Sequence, residues 1–417
     1  MPRIRGRLGG LKTAAAAAIA TLVILAGCGS SPDESGRIAA RTLAVYVSVP
    51  LDGPSAVSGE AVANGARLAL DRIHAQIGRF RIVLKEVDDA SPSRAEWDPG
   101  QTTNDARAAV ADPTTVGYIG DLNSGASAIS IPPLNRFGIP QVSPASTAVG
   151  LTSNGPGAAP GEPYKYYPTG LRTFARVAPS DTIQAAVQVQ LQRSLGCTRT
   201  FVVDDGEVDG QDMATSFDLA TRAGGPEVIA TQTFAPKATD YRALASSVAS
   251  TGANCVLVAG VNNVGAALLT KQIAAAVPTA RIFATAGMAE STFARAISPA
   301  VASRLLITSP ALGPSAYPAS GAALEAEYAR RYGTPEPDAV LGYEATSLML
   351  DAIARATDHG RREATRARIL KAIFATRGRP SVLGTYSITP DGDTTLNTFG
   401  VWRVRRGRLE FFKALDG

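Results

Sequence analysis

Residues 116–147 of the chain, VGYIGDLNSGASAISIPPLNRFGIPQVSPAST, predict one strand–helix–strand unit. Val116–Gly120 and Ile139–Val142 are short apolar runs of the kind that form buried strands. Between them, Ser124–Phe137 has the length of a helix, which two adjacent prolines interrupt early. A strand that is joined to the next one through a helix lies parallel to it in one sheet. This stretch therefore predicts a parallel sheet covered by helices.

The same alternation extends upstream of this unit. Leu43–Val49 and Phe80–Val87 are predicted strands, and Gly59–Ile77 and Thr103–Ala111 are predicted helices. Apolar residues recur at helical spacing in the first of these helices. The repeated order of strand and helix predicts helices on both faces of the sheet.

A second cycle follows a long stretch rich in Gly and Pro, Leu151–Pro168, which we expect to be an ordered surface loop. Phe174–Val177 leads into this cycle. Its predicted helices are Thr182–Leu195, Gln211–Arg222, Asp240–Ser250, Val264–Ala276 and Glu290–Ile297. Its predicted strands are Thr200–Val203, Val228–Phe234, Cys255–Val258, Arg281–Ala284 and Leu305–Thr308.

The end of the chain departs from the alternation. Three helices without intervening strands are predicted at Gly321–Tyr332, Asp338–Ala356 and Arg362–Ala375. Strands are predicted after them at Ser381–Ile388, Phe399–Val404 and Leu409–Phe412. Helices this late in the chain would complete the first lobe, so the chain would cross between lobes more than once. The predicted fold class is α/β, with two doubly wound parallel-sheet lobes.

Composition agrees with a two-domain globular protein. The 417 residues are too many for one ordinary core, and 45% of them are hydrophobic and 18% charged. The net charge is +5, but four basic residues lie in the first 27 residues, which contain no acid. The remainder carries only +1, so the sequence gives no electrostatic reason to expect binding to nucleic acid.

The sequence offers no catalytic constellation. Only two histidines are present, His74 and His359, which is too few for a His-based metal site. We expect His74 on the polar side of a helix and His359 at a helix end. The nucleophile elbow, the zinc-protease helix, the P-loop and the Cys-x-x-Cys pair are all missing from the sequence. The sequence therefore predicts neither an enzyme nor a metal or cofactor site.

The first 27 residues have the features of a secretory signal. A basic segment precedes an apolar run, Thr13–Ala26, which is short for a transmembrane helix. Leu25–Cys28 resembles a bacterial lipobox, in which the thiol of Cys28 receives the lipid. The alternative is an ordinary signal peptide that ends near a cysteine. In the lipoprotein interpretation, residues 28–40 form a flexible tether.

Cys197 and Cys255 are the two other cysteines, and each lies just before a predicted strand. An even pair in an exported chain indicates a disulfide. If the two strands are neighbours, the thiols meet at the same sheet edge; the alternative is two free, buried cysteines. We expect the bridge.

Small polar residues follow three strands of the first predicted sheet. They occupy Pro50–Ser55, Asp121–Ser127 and Ser143–Thr147. Ligands of open α/β sheets bind outside the carboxyl ends of the strands, and N–H groups at a helix N-terminus suit a carboxylate. The alternative is that these residues only cap helices and form turns.

These stretches resemble the type I periplasmic binding proteins, specifically the leucine/isoleucine/valine-binding family of ABC-transporter solute receptors. The resemblance is carried by Pro50–Pro54, Gly65–Leu70, Asp88–Ala90, Tyr118–Gly120, Gly138–Pro140, Val142–Pro144 and Gly150–Thr152. It implies two lobes that close on a small molecule. The implied lobes are residues 41–175 plus 311–384 and residues 176–310 plus 385–417. Three hinge crossovers are implied, near Ala175–Pro179, Thr308–Pro310 and Gly384–Ser387.

The resemblance also implies a ligand site. In amino-acid binders of this family the first lobe holds the α-carboxylate, and the matching positions are Ser124 and Thr147, with backbone from Ala145. Ser58 takes a position that contacts the ligand side chain. The candidate ligand-binding residues are Ser58, Asn123, Ser124, Ala145, Ser146, Thr147, Asp209, Asn262 and Gly287.

The second lobe departs from the pattern of amino-acid binders. Asp209 and Val261–Asn263 stand where aromatic residues are usual, and the usual acid for an ammonium group is missing near Ala286. Either Asp209 replaces that acid from another direction, or the ligand has no amine. Trp97 either packs at a helix entry or stacks on the ligand.

The predicted function is that of a lipid-anchored receptor on the outer face of the cell membrane. It would capture an amino acid or related carboxylate by hinge closure and deliver it to an ABC permease. The alternative is a sensor that uses the same body to report a ligand to a membrane signalling system. The residues of this chain do not separate the two.

Overall fold

The computed structural model describes residues 36–94 and 96–417. The strands are β1 (Arg37–Ile38), β2 (Thr42–Val49), β3 (Gln76–Ile77), β4 (Phe80–Asp88), β5 (Ala90–Ser91), β6 (Glu96–Trp97), β7 (Thr115–Ile119), β8 (Gln141–Ser143), β9 (Phe174–Arg176), β10 (Arg199–Asp204), β11 (Glu227–Thr233), β12 (Cys255–Ala259), β13 (Arg281–Ala284), β14 (Leu305–Ser309), β15 (Ala364–Thr365), β16 (Arg379–Pro380), β17 (Thr385–Tyr386), β18 (Thr398–Arg405) and β19 (Arg408–Asp416). The α-helices are α1 (Ala56–Arg72), α2 (Pro99–Ala111), α3 (Ser124–Arg136), α4 (Asp181–Ser194), α5 (Val208–Thr221), α6 (Arg242–Ser250), α7 (Ala266–Ala276), α8 (Ser291–Ala296), α9 (Pro299–Ala302), α10 (Ala319–Tyr332), α11 (Ala339–Ala356) and α12 (Arg366–Phe374).

The first sheet has, within the described residues, six strands in the order β3-β4-β2-β7-β8-β9. β2 pairs in parallel with β4 and β7, and β8 and β9 extend the sheet in the same direction. The two-residue edge strand β3 is antiparallel to β4. Every residue of β7 and β8 is buried, which is typical of a parallel sheet with helices on both faces. We call this sheet and the helices packed on it the first lobe.

The second sheet has seven strands in the described part of the chain, in the order β11-β10-β12-β13-β14-β18-β19. The five strands from β11 to β14 pair in parallel. β18 and β19 come from the end of the chain and join this sheet antiparallel. This sheet and its helices form the second lobe. The predicted class, two doubly wound α/β lobes, is confirmed.

The chain crosses between the lobes three times in the described residues. The crossings run from Arg176 to Asp181, from Ser309 to Ala319 and from Tyr386 to Thr398. The helices α10, α11 and α12 between the last two crossings contribute buried residues to the core of the first lobe. Helices late in the sequence therefore complete the first lobe, as the pattern predicted.

The helices α1 and α11 pack at unusually close range. A Cβ atom added to Gly65 of α1 would lie 2.3 Å from the carbonyl oxygen of Ala339, and one added to Gly342 of α11 would lie 2.5 Å from that of Val62. Real Cβ atoms do not approach this closely, so the two glycines permit the contact.

Two predictions about local structure are wrong. Pro132 and Pro133 do not interrupt α3, which is continuous over them, because the adjacent Ile131 and Leu134 are fully buried and their packing outweighs the lost helical hydrogen bonds. The strand predicted over residues 381–388 is a small hairpin of β16 and β17 instead. Its turn is closed by Ser381, whose backbone N–H and hydroxyl both donate to the carbonyl of Gly384.

Two further predictions need adjustment. His74 lies in the turn after α1, with a φ of 52°, rather than on the helix, because α1 ends at Arg72. The last predicted helix begins at Arg366, because Ala364–Thr365 form β15. β15 pairs with β1 (Arg37–Ile38), so these two residues of the expected tether belong to the folded body. Cys28 and the predicted signal lie outside the described residues.

The structure joins Cys197 and Cys255 by a disulfide, with 5.7 Å between their Cα atoms. Cys255 opens β12, which pairs directly with β10, and Cys197 lies two residues before β10. The bridge therefore lies at the amino ends of the strands. In the portion of the chain that the structure describes, no helix has the length and apolar character needed to cross a membrane.

Candidate ligand-binding site

A small cavity lies between the two lobes, outside the carboxyl ends of their strands. Its volume is about 40 Å³, which is room for about three water molecules. Both lobes supply its walls, as expected for a ligand site in open α/β sheets. It is lined by Leu122, Asn123, Ala145, Thr147, Asp181, Gln184, Asp209, Met213, Gly260, Val261, Thr285, Ala286, Gly287, Glu290, Pro310 and Asp338.

The first-lobe wall is built around the start of α3. Ser124 is the first residue of that helix, and its hydroxyl oxygen accepts hydrogen bonds from the backbone N–H groups of Thr147 and Ala148, both at 3.1 Å. These bonds hold the loop after β8 against the helix. The small residue Gly125 is required here, because a Cβ would meet the ring of Trp97 at 2.5 Å. Trp97 is therefore a packing residue beside α3 and does not line the cavity.

A buried arginine holds the same loop in place. Arg176, the last residue of β9, is fully buried and donates to the carbonyl oxygens of Ser146 at 3.2 Å and Ala148 at 2.8 Å. It also donates to the hydroxyl of Thr152 at 2.8 Å and forms an ion pair of 2.7 Å with Asp393. One side chain thereby ties the first-lobe wall to the last crossover.

Asp209 of the second lobe reaches across the cleft. It lies in the first turn of α5, and both of its carboxylate oxygens accept from the backbone N–H of Ser124 at 3.2 Å. We call the backbone N–H groups of Ser124 and Gly125 the α3 amide site. Loss of hydration raises the pKa of Asp209, although the hydrogen bonds from the α3 amide site oppose the rise. The carboxylate occupies a helix N-terminus, where negative charge is stabilised.

Three further acids line the cavity. Burial raises the pKa of Glu290 to about 8 and that of Asp338 to about 7. Burial also raises the pKa of Asp181 well above its usual value, and the nearby Asp212 and Asp209 add to this rise. The lining residues named above include no Lys, Arg or His. The cavity is thus a cluster of acids with no positive side chain beside them, and their raised pKa values favour the protonated forms until a positive group enters.

Asp181 stands out among these acids. It opens α4, is 1% exposed, and its Oδ2 atom has no hydrogen-bond partner. With the amide of Gln184 turned so that its nitrogen faces the acid, that nitrogen donates to the other oxygen, Oδ1, at 3.1 Å. Buried carboxylate oxygens nearly always have a donor, so Oδ2 is an acceptor that the described residues leave without one, while the neighbouring Asp212 helps to raise the pKa of Asp181.

Hydrogen bonds between the lobes close the cleft on both sides of the cavity. On one side, Thr292 donates to the carbonyl oxygen of Pro54 at 2.9 Å, and Ser55 donates to that of Asn262 at 3.1 Å. On the other side, Arg94 pairs with Glu207 at 2.7 Å. The lobes are therefore in direct contact around the cavity.

The candidate residues from the sequence divide into two groups. Asn123, Ala145, Thr147, Asp209 and Gly287 line the cavity. The others, which do not line it, are Ser58, Ser124, Ser146 and Asn262.

The residues outside the cavity have other contacts. Ser58 is buried in α1. The hydroxyl of Ser146 donates to the carbonyl oxygen of Asp121, and the amide of Asn262 donates to Glu290 at 2.6 Å. Asn262 therefore holds an acid of the cavity and is a support for the site.

Sequence reasoning missed Asp181, Glu290 and Asp338. Each stands at or just before the first residue of a helix, where an acid is also a common capping residue. Glu290 lies only four residues beyond Ala286, where an acid was expected and missing. A search for acids at helix starts after each crossover would have found Asp181 and Asp338.

The described residues contain no group of three or more His, Cys, Asp or Glu side chains placed to hold a metal ion. His74 and His359 are both exposed and lie away from the cavity lining. The arrangement provides acceptors for hydrogen-bond donors and for positive charge, in a space closed by two lobes. It can bind a small molecule.

Comparison with known proteins decides the family. The model of the family described as periplasmic binding protein matches residues 43–408. The chain belongs to the periplasmic binding protein family. Curated relatives named as Leu/Ile/Val-binding proteins are similar to it over most of its length. A Leu/Ile/Val-binding protein of Rhizobium johnstonii is 25% identical over 375 residues, which are 89% of this chain and 94% of that one.

Solved structures of the family share the fold. The leucine-binding protein of Thermotoga maritima has a TM-score of 0.75 at 22% identity, covering 90% of this chain and 99% of its own. A solute-binding protein of R. palustris, solved with benzoate, has a TM-score of 0.73 at 19% identity, covering 89% of this chain and 96% of its own.

Membership fixes the general role of this periplasmic binding protein. It is a solute-binding protein of the ABC-transporter family and not an enzyme. The family implies a small-molecule ligand, an ABC transporter as partner and an extracytoplasmic location.

Proposed function

We propose that this protein captures a small, polar, amine-bearing solute by hinge closure and delivers it to an ABC importer. The observation that carries the proposal is the cavity between the lobes, which four carboxylates and no basic side chain line. An ammonium group satisfies such acceptors, and a closed cleft strengthens the attraction because water is excluded. The Leu/Ile/Val-binding relative and the leucine-binding structure favour amino acids or related compounds as the starting panel.

The three crossovers support closure as the mechanism. Residues 41–175 plus 311–384 and residues 176–310 plus 385–417 would move as two bodies about these connections. The contacts between the lobes at Thr292 and Arg94 would break on opening and re-form on closure. A ligand that contacts both lobes shifts the population toward the closed form.

We propose further that the protein is anchored to the outer face of the cell membrane by a lipid on Cys28. The support is the sequence Leu25–Cys28 after an apolar run, followed by a small, polar segment. Replacing Cys28→Ser should move the protein from the membrane fraction to the soluble fraction of the expressing bacterium. Unchanged membrane association of the variant would refute the anchor.

The test of the receptor function is a thermal-shift screen of the purified protein with amino acids, short carboxylates, amides, amines and nucleosides. A ligand at 100 times its Kd should add about 2.7 kcal/mol to the free energy of unfolding. Small-angle scattering with the hit should show a more compact particle. If no compound raises the melting temperature and none compacts the particle, the proposal fails.

A further inference from the structure

The α3 amide site has a partner within the chain. Unpaired N–H groups at the start of a helix attract carboxylates. Here the N–H of Ser124 already donates to both carboxylate oxygens of Asp209, at 3.2 Å each. The hydroxyl oxygen of Ser124 accepts from the N–H groups of Thr147 and Ala148, and the side-chain hydrogen bond of Ser124 to Asp209 lowers the pKa of that acid. The donors of Ser124 that suit the carboxylate of a ligand are therefore satisfied by the protein itself.

The acidic acceptors of the cavity, in contrast, include one that has no donor within the protein. Asp181 is 1% exposed and lines the cavity, and its Oδ2 atom has no donor. Glu290 and Asp338 line the same cavity, and no Lys, Arg or His is among the lining residues. A group with several N–H donors and a positive charge would satisfy Oδ2 and offset the neighbouring acids.

From these two observations we infer that the ligand is a compact cationic amine without a carboxylate, and that Asp209 takes at the α3 amide site the place of the missing carboxylate. This inference rests on the proposed function and narrows its ligand class. The small volume of the closed cavity favours a compact amine over a long one.

A zwitterionic ligand fits the same geometry poorly. Its carboxylate would have to displace Asp209 from the N–H of Ser124, which leaves the Asp209 carboxylate without that donor. It would also add a negative charge to a cavity that already holds four acids. A diamine brings only donors and positive charge.

The test compares ethylenediamine and 1,3-diaminopropane with glycine, leucine and benzoate in calorimetric titrations of the purified protein. We expect saturable binding of the diamines, at least 100-fold tighter than that of the carboxylate-bearing compounds. Asp181→Asn should weaken diamine binding at least tenfold. Asp218→Asn is the matched control, because it removes an equal charge from an exposed position of α5, and it should change the affinity less than twofold.

A second variant tests the role of Asp209. Asp209→Ala frees the α3 amide site, so the affinity for amino acids should rise at least tenfold while that for diamines falls. Asp209→Leu, which has a similar size and no acceptor for the N–H of Ser124, gives the same readout if the alanine variant does not fold. If leucine binds the parent protein more tightly than the diamines do, the inference is overturned and the proposed function stands. If benzoate binds most tightly, both the inference and the amine-bearing ligand of the proposed function are overturned. If no compound binds at all, the proposed function fails and the inference with it.

Discussion

Replacing Arg176→Met should cost the protein about 3–5 kcal/mol of unfolding free energy. The side chain is fully buried and makes three hydrogen bonds to the loop after β8 and its continuation, besides the ion pair with Asp393. Hydrogen bonds from a charged donor are worth about 1.5–3 kcal/mol each, and breaking a buried pair costs about 3–5 kcal/mol. Since the side chain of Asp393 is 28% exposed, water recovers part of the loss.

The assay is urea unfolding followed by tryptophan fluorescence. The chain has two tryptophans, Trp97 beside α3 in the first lobe and Trp402 in the second lobe, so a Trp402→Phe background reports the first lobe and a Trp97→Phe background the second. Arg176→Met should lower the midpoint seen by Trp97 most. Arg222→Met is the control, because Arg222 is exposed and pairs with Asp218 at the surface, and it should cost less than about 0.5 kcal/mol.

Two results would refute the reasoning. One is a loss below about 1 kcal/mol in Arg176→Met, which would mean that the loop carbonyls find other donors. The other comes from the double-mutant cycle with Asp393→Asn. A coupling energy near zero would show that the ion pair contributes nothing beyond the loop contacts.

Three other predictions follow from features away from that arginine. Replacing both Cys197 and Cys255 by Ser should lower the free energy of unfolding by about 4 kcal/mol, because the bridge closes a loop of 58 residues, and an unchanged urea midpoint would contradict this. The substitution Gly342→Ala should lower the free energy of unfolding by about 1–3 kcal/mol in the same assay, because the added Cβ would press on the carbonyl of Val62. Equal stability of the variant would show that α1 and α11 can move apart without cost. Burial raises the pKa of Glu290 from 4.5 to about 8. The stabilising contribution of this acid is therefore present below pH 4.5 and is lost as the pH rises through 8. The melting temperature should fall between pH 5.5 and 8.5, and it should fall less in the variant Glu290→Gln.

The strands and helices were largely predictable because a parallel sheet buries both faces of its strands. Val45 and Val47 of β2 and Val256 and Val258 of β12 are completely buried, and such runs stand out between amphipathic helices. Boundaries were less predictable, since helix starts depend on tertiary contacts. α3 passes through two prolines because its buried neighbours hold it in place, and no local pattern reveals that packing.

Only the first-lobe wall of the site was predictable from the sequence. The polar residues of the first-lobe wall lie in two loops close together in the sequence, so their pattern could be seen. Asp181, Glu290 and Asp338 come from three distant helices, and only the folded chain brings them to one cavity. Each alone has the form of an ordinary helix-start acid. The contact of Asp209 with Ser124 joins the two lobes across the cleft, and local sequence carries no information about such a contact.

The interleaving of the chain between the lobes sets the order in which the protein can fold. α11 is part of the core of the first lobe, yet it lies almost 300 residues after β2, and β18 and β19 complete the second sheet from the last twenty residues of the chain. A growing chain therefore has neither core complete until almost all of it has been made. Partly synthesised molecules expose the apolar faces that α11 and β18 later cover. The folding of such a chain is slowed by contacts between distant segments.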